Sequence, residues 1–179
     1  MRENTNRTHR HALRGMAALV LVGAALLVPG EATGASIGAR QSDRKLEGRY
    51  EQQPAAVGAP LCSPPASCVV PFSLFGVTTG DVAGTMVQAG AGSRMADGSL
   101  YANSTVVFTG TVTGCGSGTV TMRSTGVNRG GATTGSIEIV YGSGTGGLAS
   151  LEGTGTVVSG QVDPTTGIGR GLIEYRVKC

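Results

Sequence analysis

Short runs of alternating apolar and polar residues, separated by glycines, occupy the chain from residue 68 to residue 179. The run 104–114, for example, places Val106, Phe108 and Val112 on one face of an extended chain. An alternation of period two is typical of a β-strand with one face buried and the other in water. No window of about 10–12 residues in this region carries the apolar stripe of a helix. The pattern therefore predicts an all-β domain.

The number of runs and the glycines within them limit the possible architectures of this domain. Short strands joined by tight turns form a barrel or a sandwich. Glycines inside strands mark bends, which a closed barrel needs, and the core Trp of an immunoglobulin-type sandwich is missing because the chain has no Trp. We predict a small antiparallel β-barrel of about eight strands, with a β-sandwich as the alternative. The runs are 69–77, 80–90, 104–114, 118–126, 135–142, 153–162 and 171–179.

Three segments carry a resemblance to a known group of proteins. VVFTGTVTGCGSGTVTMRSTG (106–126), YGSGTGGLASLEGTGTV (141–157) and IEYRV (173–177) resemble a family of small bacterial proteins of unknown function in the allene oxide cyclase-like barrel group. That group also includes the dirigent proteins and some bacterial spirotetronate cyclases. The resemblance implies an eight-stranded antiparallel barrel, and because relatives with this fold are often oligomeric, it is compatible with a homo-oligomer. It assigns no catalytic residue, and the chain departs from it in having an export signal and four cysteines.

The first 35 residues have the pattern of a secretory signal peptide. Four arginines precede an uncharged run whose apolar centre, 16–28, has 13 residues. This centre is too short to span a membrane, which takes about 20 apolar residues, but it suits a signal-peptide core. Small residues follow, and we place the cleavage after Ala35. The sequence thus predicts a secreted protein with no membrane anchor after cleavage.

The predicted mature chain divides into two parts. Residues 36–67 are polar and without clear periodicity, which predicts a flexible N-terminal arm. Residues 68–179 form the predicted barrel domain.

Composition excludes several kinds of chemistry. Both histidines, His9 and His11, lie in the predicted signal, so the mature chain would hold no Ser-His-Asp triad and no His-containing zinc site. The signal also takes four of the 14 basic and two of the 11 acidic residues, which leaves 10 and 9. This balance lacks the clustered positive charge of a nucleic-acid-binding protein. We predict no catalytic residue, no metal site and no cofactor.

The four cysteines are Cys62, Cys68, Cys115 and Cys179. An even number in an exported chain predicts two disulfides, although three pairings are possible. The pairing Cys62–Cys68 with Cys115–Cys179 is favoured because a short loop closes at low entropic cost. The workable alternative joins Cys68 to Cys179 at one rim of the barrel.

Large side chains on the predicted inner face define a candidate lumen. The candidates are Phe72, Phe108, Met122, Tyr141 and Tyr175. They indicate either ordinary core packing or the wall of a cavity for a small apolar ligand. We therefore predict a secreted, disulfide-bonded barrel that is structural or binds a small apolar ligand. The alternative is an isomerase or cyclase that acts on a reactive apolar molecule in the lumen.

Overall fold

A computed structural model describes residues 43–63 and 67–179 of the chain. These residues are almost entirely β-structure, with one short 3-10 turn at Gly146–Leu148. Within them, no helix is long and apolar enough to cross a membrane. We number the strands in chain order as β1 (Arg44–Val57), β2 (Leu61–Ser63), β3 (Ser67–Gly80), β4 (Val82–Arg94), β5 (Leu100–Val112), β6 (Gly116–Arg129), β7 (Ala132–Ile139), β8 (Glu152–Val162) and β9 (Gly169–Lys178).

The strands close into an antiparallel barrel. From β3 to β9 each strand pairs with the next, and β1 completes the ring by pairing with both β9 and β3. Eight strands make up the barrel, and β2 is an additional strand that pairs with the first residues of β3. The prediction of a small antiparallel barrel of about eight strands is confirmed, and the sandwich alternative is wrong.

The strand that completes the barrel comes from the segment assigned to a flexible arm. Residues 44–57 form β1, so the barrel begins well before residue 68. Leu46, Gly48 and Tyr50 point inward and alternate with exposed charged residues. Of these three residues only Leu46 is aliphatic, so the sequence of this segment does not show a clear apolar alternation.

Gly48 in β1 lies close to a tyrosine ring, because a Cβ there would lie 3.2 Å from Cε2 of Tyr175. That distance is tighter than ordinary van der Waals contact, so the glycine makes room for the tyrosine. The predicted signal peptide at 1–35 lies outside the described residues, as do 36–42 and 64–66.

One half of the lumen is filled with side chains. This packed half lies towards the rim where β1 begins and β9 ends, since Arg44 pairs with Val177 there. Phe108 and Val120 are each 1% exposed in it. Close packing of this kind is the main source of stability for a domain of this size. Its other members include Leu46, Val82, Val112, Met122, Ile139, Tyr175 and Val177.

The link between β7 and β8 covers the end of the packed half. Leu148 is fully buried and Leu151 is nearly so, and both belong to the hydrophobic core. The backbone N–H of Thr145 donates to the carbonyl of Thr119 on β6 at 2.9 Å. The Ser143 hydroxyl donates to the carbonyl of Val140 at 2.7 Å. The glycine-rich segment 142–147 is thus a structural closure of the barrel.

Two disulfides join parts of the barrel at its two ends. Cys62 and Cys68 connect β2 to β3, and Cys115 and Cys179 connect the turn between β5 and β6 to the end of the chain. This is the pairing that the sequence analysis favoured. Cys115 and Cys179 also pack against the hydrophobic core, which makes this bridge part of the packed half.

Two aspartates order turns at the opposite rim. Asp97 accepts hydrogen bonds from the hydroxyl of Ser99 at 2.6 Å and from its backbone N–H at 2.9 Å. Asp163 accepts from the N–H groups of Thr165 and Thr166 at 2.8 and 3.2 Å. These hydrogen bonds favour the ionised carboxylates and lower the pKa of both groups below the ordinary value.

The lowered pKa values predict a loss of stability in acid. Both carboxylates stabilise the folded state above the unfolded-state pKa of about 3.9, and this contribution is lost as the pH falls through their lower folded-state pKa values. We expect the free energy of unfolding, measured in urea at a series of pH values, to decrease below about pH 4. The double variant Asp97→Asn, Asp163→Asn should show a flatter decrease. An unchanged pH dependence in that variant would show that other groups control acid unfolding.

Candidate ligand cavity in the open half of the barrel

The other half of the lumen contains a cavity of about 680 Å³. It extends from the middle of the barrel to the rim formed by β2 and by the turns that follow β4, β6 and β8. A volume of this size falls within the range of about 300–1,000 Å³ that is typical of small-molecule sites. By contrast, the space left among the side chains of the packed half is only about 10 Å³.

The cavity exists because small residues align across four neighbouring strands. Gly92 on β4 pairs with Ala102 on β5, Ala102 pairs with Gly126 on β6, and Gly126 pairs with Gly135 on β7. All four residues line the cavity. Residues directly opposite each other lie side by side on the same face of a sheet. The four small residues therefore form a continuous row, and they leave empty the part of the lumen that larger side chains would fill.

The cavity wall is mainly apolar. Met86, Val106, Ile137 and Ile173 belong to the hydrophobic core and also line the cavity, so they form its floor. β3 adds Val70, Phe72 and Leu74 to the apolar wall.

A stripe of neutral polar side chains crosses this apolar wall. The Gln52 amide on β1 donates from Nε2 to Oε1 of Gln88 on β4 at 2.8 Å. Gln88 in turn donates from Nε2 to Oγ of Ser104 on β5 at 2.7 Å. Ser124 on β6 lies directly opposite Ser104 and also lines the cavity. These four residues, Gln52, Gln88, Ser104 and Ser124, are called the polar stripe below.

Gly76 on β3 allows the stripe to cross from β1 to β4. It is the residue of β3 that pairs with Gln52, and a Cβ on it would lie 2.6 Å from Cγ of that glutamine. The Gln52 side chain therefore lies over the glycine and reaches Gln88 beyond it. Any larger residue at position 76 would displace Gln52.

The sequence-predicted lumen residues fall into three places. Phe72 lines the cavity. Phe108, Met122 and Tyr175 point into the lumen but belong to the packed half, where they are at most 3% exposed. Tyr141 is 86% exposed, so the prediction that it lines the lumen is wrong.

Tyr141 is exposed because β7 ends at Ile139 and the chain turns there. Gly142 adopts a positive φ of 71° in this turn. The alternation that fits Ile137 and Ile139 therefore does not continue to residue 141.

Sequence reasoning missed the polar stripe. Each of its residues is an isolated Gln or Ser within a strand, and no spacing along the chain joins them. The signal would have been a polar residue at an inward position of the alternation, such as Gln88 two residues after Met86.

Two ionisable side chains, Tyr50 and Arg94, are among the described residues of the lining. Burial raises the pKa of Tyr50 above its ordinary value, which keeps its hydroxyl neutral. Arg94 is the last residue of β4 and is exposed at the rim. Nowhere in the described chain do three or more His, Cys, Asp or Glu residues come together in a way that could hold a metal ion.

Tyr175 lies in the packed half, and its hydroxyl has no hydrogen-bond partner in the described residues. Burial raises the pKa of this hydroxyl well above its ordinary value. The group is therefore neutral.

Residues 52–166 match the model of a protein family described as proteins of unknown function (DUF3224). Among solved structures, the chain is similar to a protein with unknown function from the DUF3224 family of Shewanella oneidensis MR-1, whose crystal structure is known at 1.84 Å resolution. The TM-score is 0.58 at 16% sequence identity, over 76% of this chain and 97% of that protein. No curated protein matches the sequence significantly.

Proposed function

The chain belongs to the DUF3224 family, and we propose that it acts by binding a small apolar molecule in the open half of its barrel. The observation that carries this proposal is the cavity of about 680 Å³ with a mainly apolar wall. A lumen could have been filled as completely in this half as in the other. Instead, the aligned residues Gly92, Ala102, Gly126 and Gly135 keep it open. Burying an apolar ligand there would contribute about 25 cal/mol per Å² of apolar surface removed from water.

A neutral fluorescent dye tests the proposal. N-phenyl-1-naphthylamine is apolar and fluoresces strongly when it leaves water, so it should bind the barrel at one site. Ala102→Trp places a large ring into the cavity, and we expect it to weaken dye binding at least about tenfold by occupying the space that the dye needs. Fluorescence titration of the folded variants measures this effect.

The matched control is Ala89→Trp. Ala89 lies on β4, is exposed, and does not line the cavity, so the same substitution there should leave dye binding unchanged. Circular dichroism would establish that both variants fold. Dye binding that survives Ala102→Trp, or no binding to the wild-type protein, would refute the proposal.

Binding is proposed ahead of the alternative function, an isomerase or cyclase that uses the same cavity. Binding needs only a space of suitable size and polarity, which the cavity provides. The described lining residues include no Asp, Glu or His that could act as a general base beside the neutral Gln and Ser side chains of the polar stripe. Analysis of ligand extracted before and after incubation would detect any conversion.

We also propose that the protein works outside the cytoplasm. The support is the signal-like pattern of residues 1–35 together with two disulfides, which persist in oxidising compartments. The placement in the allene oxide cyclase-like group is likewise a proposal, supported by the closed antiparallel barrel of eight strands. Homo-oligomer formation stays a prediction from that resemblance. The mass of the protein secreted by its own host would test cleavage after Ala35.

A further inference from the structure

We infer that the ligand is uncharged and carries a carbonyl group or a similar hydrogen-bond acceptor, which the polar stripe binds through Ser104. This inference rests on the proposed function, because it names the class of molecule that the same cavity takes. It follows from the direction of the hydrogen bonds in the stripe and from where charged side chains lie around the lumen.

The hydrogen bonds of the stripe all run in one direction. Gln52 donates to Gln88, and Gln88 donates to Ser104, whose oxygen accepts. The hydroxyl hydrogen of Ser104 is therefore the free end of the chain, since no described residue accepts it. A serine hydroxyl has one donor hydrogen as well as its acceptor lone pairs. The stripe thus presents a donor to whatever occupies the cavity.

The neighbouring groups are also mainly donors. Each glutamine amide has two N–H hydrogens and uses one of them within the stripe, so one remains on each. Ser124 lies directly opposite Ser104 and adds a second hydroxyl. The Cβ atoms of two residues paired in this way are about 5 Å apart. With Ser104, the stripe therefore has four free donor hydrogens, against two oxygens that accept no hydrogen bond from a described residue, Oε1 of Gln52 and Oγ of Ser124. A ligand acceptor with two lone pairs, such as a ketone or ester carbonyl, matches this set.

The wall around the stripe disfavours a charged ligand. Its described residues include no Asp, Glu, Lys or His, and the one cation, Arg94, is exposed at the rim. A charge placed beside Ser104 would be removed from water without an opposite charge next to it, which is unfavourable. A neutral acceptor loses less on leaving water, and the hydroxyl of Ser104 compensates for that loss.

Three molecules that share one carbon skeleton test the inference. Limonene is the hydrocarbon, carvone adds a ketone, and perillate carries a carboxylate. Each would compete with N-phenyl-1-naphthylamine for wild-type protein, for Ser104→Ala and for Ser93→Ala. Ser93 lies on β4 and does not line the cavity, so its variant controls for loss of a serine elsewhere. Ser124→Ala provides a second measurement within the stripe.

We expect Ser104→Ala to weaken carvone binding about threefold to tenfold, the effect of one net hydrogen bond, and to change limonene binding less than about twofold. Ser93→Ala should change neither, and perillate should bind more weakly than carvone. Equal effects of Ser104→Ala on carvone and limonene, or perillate as the tightest ligand, would overturn the inference while leaving the proposed function intact. Failure of all three molecules to displace bound dye would also overturn it. The proposed function itself would be refuted only by the two dye results given above, which are no dye binding to the wild-type protein or dye binding that survives Ala102→Trp.

Discussion

Replacing Phe108 with alanine is expected to lower the free energy of unfolding by about 3–5 kcal/mol. The Phe108 side chain is 1% exposed and lies in the packed half, where almost no free space remains. Its ring covers Gly84 and Gly110, since a Cβ on either glycine would lie within 3 Å of a ring atom. These glycines have no side chains that could move into the space that the ring leaves. The variant would therefore keep a cavity as well as lose buried apolar surface.

Two matched variants show whether packing in this half causes the loss. Val107→Ala changes the adjacent residue of β5, which is 41% exposed on the outer face, and should lower stability by less than about 0.5 kcal/mol. Phe72→Ala removes the same ring from the wall of the open half, where part of the side chain already faces free space. We expect its effect to be clearly smaller than that of Phe108→Ala.

Urea unfolding of the three variants would measure these differences. Domains of this kind have total stabilities of about 5–15 kcal/mol, so Phe108→Ala would remove a large fraction. Similar losses for Phe108→Ala and Phe72→Ala would mean that the two halves of the lumen are packed alike, contrary to the structure.

The contrast between the two halves was only partly predictable from the sequence. The packed half follows from alternation within single strands, because Val106, Phe108 and Val112 repeat at every second or fourth position. Whether such a residue is buried depends on the face of the strand that it occupies, and the alternation in the sequence shows which residues share a face. The strands of this half, apart from β1, were therefore predicted correctly.

The cavity in the open half depends on the register in which neighbouring strands pair. The pattern of residues within a single strand does not specify this register. Gly92, Ala102, Gly126 and Gly135 form a row only because β4, β5, β6 and β7 pair at those positions. A shift of two residues in any of these pairings would break the row while preserving every alternation. The position of the cavity, and of the polar stripe within it, could be found only from the folded chain.

The sequence did not predict β1 as a strand, and the physical reason is different. Its inward positions hold Leu46, Gly48, Tyr50 and Gln52, because a tyrosine from β9 fills the space beside Gly48 and the polar stripe uses Gln52. The strand is stabilised by its partners rather than by its own apolar residues. Its composition alone therefore resembles that of a solvated segment, although it pairs with both β3 and β9.

The second large effect is expected from removing the disulfide between Cys115 and Cys179. This bridge spans 64 residues of sequence, whereas Cys62 and Cys68 are separated by 6. In the chain-entropy treatment, a crosslink destabilises the unfolded state more when it closes a longer loop. The expected contributions to the free energy of unfolding are about 4 kcal/mol for the long bridge and about 2 kcal/mol for the short one.

The double variants Cys115→Ala, Cys179→Ala and Cys62→Ala, Cys68→Ala compare the two bridges with the same chemical change. The first should lose more stability than the second in urea unfolding under non-reducing conditions. Packing adds to the difference, because Cys115 and Cys179 contact the hydrophobic core whereas Cys62 is exposed. An equal or larger loss on removing the short bridge would contradict this expectation. It would mean that β2 and the rim of the open half, rather than closure of the packed half, limit the stability of the barrel.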